Sequence, residues 1–140
     1  MIILDTNVIS EIFRPSPAPQ VLHWLAAQPA AETFTTTVNE AEIFRGLEQM
    51  PSGRRRIDLY RATEIYFQKN LAGKVLNFDS HAARIYAAIT AQRARIGRPI
   101  LDFDAQIAAI ARAHKAKLAT RNTKDFEHCG IDLVDPWKTR

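Results

Sequence analysis

Carboxylates recur along this chain just past apolar runs. Asp5 follows Ile2, Ile3 and Leu4; Glu40 and Glu42 lie within the segment 38–46; Asp102 and Asp104 open the segment that runs on to Ala111; Asp125 comes shortly after Leu118, Ala119 and Thr120. Brought within a few Å of one another, such like charges repel unless a cation neutralises them. An oxygen-only set of carboxylates, completed by water and an Asn or Thr oxygen, selects hard cations such as magnesium or manganese.

Taken singly, each acid also has a plainer reading. Asp5 reads equally as a ligand or as the cap of a following helix, because Asp is favoured at that position. Glu40 and Glu42, two apart on a helix, point about 200° apart and cannot serve one site together. On spacing alone both are solvated surface charges. Asp102 is expected to be a helix N-cap, which leaves Asp104 in the first turn, where the helix dipole favours a carboxylate in any case. Ala108 and Ala111 beyond it are small, leaving room for a metal or simply allowing close packing. Asn122 and Asp125 are both within reach of the strand end that precedes them.

Other chemistries lack their residues. His23, His81, His114 and His128 are scattered with no i, i+4 pair, and the adjacent His128 and Cys129 have no partners at zinc-ligand spacing. Cys129 has no Cys-His-Asn context, the four serines have no nucleophile-elbow glycine pattern, and no glycine loop could cradle a phosphate. Zinc, covalent catalysis and P-loop hydrolysis are disfavoured accordingly.

The elements that must position the acids follow from periodicity and punctuation. Continuous apolar or Thr/Phe-rich runs predict strands at 1–4, 32–37, 74–78, 117–120 and 132–134. Helical spacing predicts helices at 8–13, 20–28, 38–49, 54–70, 79–96 and 101–115. In the third of these Val38, Ala41, Phe44 and Leu47 mark the apolar side; in the fifth, Ala82, Ile85, Tyr86, Ile89 and Arg93 do so behind an Asp79 cap. Strands alternating with long helices imply right-handed crossovers and a parallel sheet covered on both faces. Ligands of such sheets bind beyond the carboxyl ends of the strands, where the acids fall.

The 140 residues allow one ordinary domain, 1–140, that hides roughly two-thirds of its unfolded surface. Any metal is then functional rather than a staple. With 46% apolar and 24% charged residues, disordered, collagen-like and disulfide-scaffold classes are excluded. Nineteen Lys and Arg against fifteen Asp and Glu leave a net charge of +4, which favours a polyanionic partner such as nucleic acid. A lone cysteine, and an N-terminal apolar run far shorter than a signal core or a membrane span, set the cytoplasm as the expected compartment. Arg121 and Lys124, beside the fourth strand end, are candidates for RNA contact. Arg54, Arg55 and Arg56 read as a solvated face, and the tryptophans and most other aromatics as core or interface material.

The runs MIILDTNVISE (1–11), AEIFRG (41–46), DAQIAAIA (104–111), ATRNTKDF (119–126) and DPW (135–137), in this order over almost the whole chain, resemble the PIN-domain family. Within it they resemble the VapC-type toxins of bacterial toxin–antitoxin pairs, in particular the FitB-like group. The resemblance implies a PIN-like α/β/α sandwich with a central parallel sheet flanked by helices. It places the family's acids at Asp5, Glu42 and Asp104, with Glu42 rather than Glu40 in the Ala-Glu-aliphatic position. Many relatives carry Asp where this chain has Asn122, and Asp125 is the substitute candidate for a fourth catalytic acid.

What the resemblance implies is a metal-dependent endoribonuclease, in which Asp5, Glu42 and Asp104 hold one or two magnesium or manganese ions that activate water for attack on an RNA phosphodiester. Thr6, Asn7, Thr120 and Asn122 would orient an acid or a water. The implied partners are an RNA substrate, a cognate antitoxin and a second copy of the chain, with operator DNA reached only through the antitoxin and no membrane. A catalytically inactive PIN-like binding module is the alternative. Phosphoryl-transfer enzymes with Asp-x-Asp after the first strand are excluded, because Asn7 stands where the second acid would be.

Overall fold

The computed structural model describes residues 1–139. Five short strands, β1 (Ile2–Leu4), β2 (Thr33–Thr36), β3 (Val75–Leu76), β4 (Lys117–Ala119) and β5 (Leu133–Val134), pair in the order β3-β2-β1-β4-β5, every pair parallel. Six helices connect and cover them: α1 (Thr6–Ile12), α2 (Pro19–Ala26), α3 (Thr37–Glu48), α4 (Arg54–Lys69), α5 (Ser80–Arg95) and α6 (Asp102–Ala113). Short 3-10 turns at Ala30–Glu32 and Thr123–Phe126, which periodicity does not reveal, complete the path.

Period-two alternation in the central strands divides the interior. Ile3 and Leu118 face a core with Ala82 and Ile89 of α5 and Ile107 to Ala111 of α6; Ile2, Leu4 and Ala119 face another with Val8 and Ile9 of α1, Ile43 and Leu47 of α3, and Phe67 of α4. The fold is therefore the α/β/α sandwich expected. Ala105, Ala108, Ala109 and Ala111 of α6 are fully buried, and their small side chains let the helix backbone lie close to the sheet and to α5. Truncating a core side chain such as Ile110 to Ala would cost about 2–5 kcal/mol.

Boundaries shift by one or two residues from the sequence reading, and three differences have physical causes. Helix α1 begins at Thr6 rather than Val8, because Asp5 itself takes the N-cap position. Asp102 is not a cap: extended Leu101 holds that position without a side-chain bond, and Tyr86 of α5 donates its hydroxyl to Asp102 Oδ1 at 2.8 Å. Asp79 does cap α5, accepting from the Ala82 N–H at 2.9 Å. On α3, Val38 and Leu47 are buried as periodicity predicts, but Ala41 is exposed, and Asn39 and Ile43 take the inward face. Among the described residues no helix is long and apolar enough to cross a membrane.

Because β1, β2 and β4 are parallel neighbours, their carboxyl ends lie along one edge. Leu4 pairs with Ala119, so the residues that follow, Asp5 and Thr120, emerge side by side, and the Asp5 N–H extends the ladder to the Ala119 carbonyl at 2.9 Å. Beyond β2 the chain turns directly into α3, which brings Asn39 and Glu42 to the same edge.

Candidate active site

Asp5 is 6% exposed, and its carboxylate is held from three elements. Oδ2 accepts from Thr120 Oγ1 at 2.7 Å, and Oδ1 accepts from Asn39 Nδ2 at 3.0 Å and from the Thr6 N–H at 2.9 Å; Asn7 Nδ2 stands 3.5 Å from Oδ2. Asp5 thus takes the helix-cap position that one of its two readings gave it. Its bond reaches only the first helical amide, whereas a capping carboxylate ordinarily serves the second or third. The rest of its capacity goes to side chains of α3 and of the β4 end.

The other acids gather around it. Glu42 Oε1 accepts from Thr6 Oγ1 at 3.1 Å, and the same Thr6 oxygen accepts from Asn39 Nδ2 at 3.1 Å, so Asp5 and Glu42 are linked through Thr6 and Asn39. Burial, and secondarily the charge of Asp5, raises the Glu42 carboxyl above the usual range despite the Thr6 bond. Burial likewise raises Asp5, against the hydrogen bonds that lower it. Asp104, in the first turn of α6, is pushed up to about 6, first by burial and then by the charges of Asp5, Asp125 and Glu42, with Arg93 opposing. Asp125 is exposed on the Thr123–Phe126 turn, yet its charge bears on both Asp5 and Asp104.

Among the described residues none of these four acids forms an ion pair. Glu40 takes no part in the cluster's bonds, so α3 presents Glu42 to it, one side of the helix being all that can face it. Also among the described residues, no three acid, His or Cys side chains converge tightly enough to enclose an ion unaided. Neighbouring carboxylates of which Asp5, Glu42 and Asp104 hold their protons more tightly than usual, flanked by hydroxyl and amide oxygens, fit a hard cation that keeps several of its waters and takes one or two carboxylates directly.

The remaining sequence candidates are placed as follows. The Asn122 N–H donates to Thr120 Oγ1 at 3.1 Å, while its exposed side chain makes none of the cluster's bonds. The Arg121 N–H donates to Asn7 Oδ1 at 3.2 Å, and its guanidinium lies over the Trp137 ring, 4.9 Å from the centroid. Lys124 is exposed on the turn that carries Asp125. Two participants were missed by sequence reasoning. Asn39 is fully buried, its Oδ1 accepting from Thr36 Oγ1 at 2.7 Å while its amide donates to Asp5 and Thr6. A lone Asn on the apolar side of α3, four residues before Ile43, was the available signal. Arg93, read only as part of an apolar helix side, is the other.

The comparisons with known proteins agree with this geometry. A sequence profile of the PIN domain matches residues 2–131. The chain is 42% identical over 138 residues to the VapC ribonuclease Y4jK of Sinorhizobium fredii, covering 99% of each. To Toxin FitB of Neisseria gonorrhoeae it is 34% identical over 137 residues, 98% of this chain and 99% of that protein. The solved structure of FitAB bound to an IR36 DNA fragment superimposes with a TM-score of 0.94 at 34% identity, over 100% of this chain and 98% of that one. The chain belongs to the PIN-domain family, in the group of the VapC and FitB toxins.

Proposed function

We propose that the protein is a divalent-metal-dependent endoribonuclease and the toxin of a toxin–antitoxin pair. The observation that carries the reading is the gathering of Asp5, Glu42, Asp104 and Asp125 at one sheet edge with no ion pair to any of them among the described residues. The relatives named as a ribonuclease and a toxin support it. Asp5, Glu42 and Asp104 would hold magnesium or manganese, and Asp125 would stand as the fourth acid in place of a carboxylate at Asn122. When bound, the cation lowers the pKa of water and neutralises charge developing on the phosphoryl oxygens. Thr120, Asn39 and Thr6 fix the acids' orientation, while Arg121 and Lys124 offer cations to an RNA backbone that the acids would otherwise repel.

On this reading the protein works in the cytoplasm as a homodimer and meets operator DNA only through its antitoxin. A groove of about 460 Å³ runs from Thr6 and Glu42 past Phe13, Leu47, Met50 and Leu59. An apolar antitoxin segment lying there would also close one side of the acids. The test is incubation of the purified protein with single-stranded and stem-loop RNA, with and without magnesium. Magnesium-dependent cleavage, abolished by Asp104→Asn and by the product of an adjacent antitoxin gene, is expected. RNA binding without cleavage at any metal concentration would instead make the protein a binding module.

A further inference from the structure

The turn that carries Asp125 is gripped from inside the protein by a cation. Arg93, near the end of α5, is 5% exposed and belongs to none of the ion pairs among the described residues. Its guanidinium donates instead to main-chain carbonyls: Nε to Arg98 O at 2.6 Å, Nη1 to Asp125 O at 3.0 Å and to Glu127 O at 2.9 Å, with Cys129 Sγ 3.6 Å away. A charge in a protein interior is strongly disfavoured unless its N–H groups are met, and an apolar side chain would fill the same face of α5 without that penalty. What the guanidinium adds is a fixed fork, able to hold several carbonyls in one arrangement as an ammonium cannot. Two of those carbonyls belong to Asp125 itself and to the residue two positions on.

We propose that Arg93 is a positioning residue of the site: by fixing the carbonyls of Asp125 and Glu127, it sets where the Asp125 carboxylate stands relative to Asp5 and Asp104. The proposal rests on the nuclease reading, in which Asp125 serves the metal site. Arg93 also brings positive charge to Asp104, opposing the three carboxylates that raise it. The same side chain therefore braces the fourth acid and tempers the repulsion within the cluster.

The test is a double-mutant cycle on the purified full chain, using Arg93→Lys, Asp125→Asn and their combination. Two readouts are taken: the magnesium concentration that gives half the thermal stabilisation, and the initial rate of RNA cleavage against magnesium. Arg93→Lys keeps the charge and loses the fork. It should raise the magnesium requirement by about 10- to 100-fold, as loss of a partner that orients metal ligands does, with the KM for RNA little changed. In the double variant the magnesium requirement should stay close to that of Asp125→Asn alone, because the brace has nothing left to position. Independent, multiplying effects would overturn the proposal, as would a magnesium requirement unchanged in Arg93→Lys or in Asp125→Asn. Should Arg93→Lys not fold, Arg93→Gln takes its place; loss of the cooperative melt in both at low temperature would make Arg93 a core-stability residue and also overturn it. If the metal pattern holds but the wild type cleaves no RNA, the nuclease reading falls and the positioning role stands.

Discussion

Thr120 Oγ1 donates to Asp5 Oδ2 at 2.7 Å, and the same oxygen accepts the Asn122 N–H at 3.1 Å, so one buried hydroxyl ties the first acid to the segment carrying the fourth. Thr120→Val keeps the volume and removes both bonds. An unmet acceptor on a buried group costs about 1–3 kcal/mol, and the melting temperature should fall accordingly. With the hydrogen bond that most lowers it gone, Asp5 should hold its proton to still higher pH, and cleavage should need more magnesium. A Thr120→Ser protein, with the hydroxyl kept, should remain near wild type in magnesium requirement; equal defects in both variants would show that the methyl group, not the hydroxyl, matters.

Asp104 gives the site a pH signature. Its carboxyl is raised from the ordinary 3.8 to about 6. A group that holds its proton more tightly when folded contributes stability that is fully present below the unfolded pKa and is lost as pH rises through the folded one. Without metal, the melting temperature should therefore decline between about pH 4 and 6, with Asp5 and Glu42 adding in the same direction. Magnesium, which competes with the proton, should bind more weakly on the acid side of 6 and draw the Asp104 titration downward. Carbon-13 chemical shifts of labelled aspartates measure this directly. In Asp5→Asn, the Asp104 transition should move back toward 3.8, because the second cause of its shift has been removed. An unshifted Asp104 in the wild-type protein would refute the electrostatic description of the site.

Asp5→Asn, Glu42→Gln and Asp104→Asn should each abolish most cleavage while the protein stays folded, and combining two should add little. Groups that act as one unit are disabled together once any member is lost. Glu40→Gln is the internal control and should cleave at the wild-type rate. If Glu40→Gln lost activity and Glu42→Gln kept it, the face of α3 that serves the reaction would have been misassigned.

Sheet and helices were legible because their signals are repeated: Ile2, Ile3 and Leu4 form an unbroken apolar run, and the inward side of α5 returns every three or four residues. Such patterns depend on burial of many side chains, and no single residue can overturn them. Asp5 and Asp104 were legible by position, at a strand end and a helix start. Glu42 was not, since spacing cannot tell it from Glu40; only the family resemblance chose between them. Asn39 and Arg93 escaped notice for the opposite reason. Each lies on an inward helix side as a polar exception, and its meaning depends on partners 34 residues away for Asn39 and 32 or more for Arg93 at the Asp125 turn. Asp102 was misread because local capping preference gave way to a tertiary bond from Tyr86.

Arg121 and Lys124 are exposed on the segment that carries Asp125, and their removal has a distinct signature. Arg121→Ala and Lys124→Ala should each weaken substrate binding for all sequences alike and flatten the dependence of log affinity on log salt, by about 0.7 for each phosphate of a single strand that is no longer neutralised. The maximal cleavage rate at saturating RNA should change far less than KM. Arg121→Ala also releases the Trp137 ring, so Trp137→Phe serves as a check that ring packing is not the source. An unaltered salt slope in both basic variants would place the RNA path elsewhere.

Metal binding should be visible in stability even without substrate. A cation that binds only the folded protein stabilises it by about 2.7 kcal/mol at a hundredfold excess over its dissociation constant, so magnesium or manganese should raise the wild-type melting temperature by several degrees. Asp5→Asn should remove nearly all of that gain while starting from a metal-free baseline at or above wild type. The carboxylate it replaces is buried among like charges, and an asparagine at this position can still accept from Thr6 and Asn39 through Oδ1, with Nδ2 donating to Thr120 Oγ1 where Oδ2 had accepted, and remains a good helix cap. Asp5→Ala should also lose the metal response but start lower, because it strands the Asn39 amide and the Thr120 hydroxyl as well as the cap. The order expected without metal is therefore Asn at or above wild type, and Ala below. Melting curves of the three proteins with and without magnesium decide it, and the same magnesium gain in all three would mean that Asp5 holds no cation.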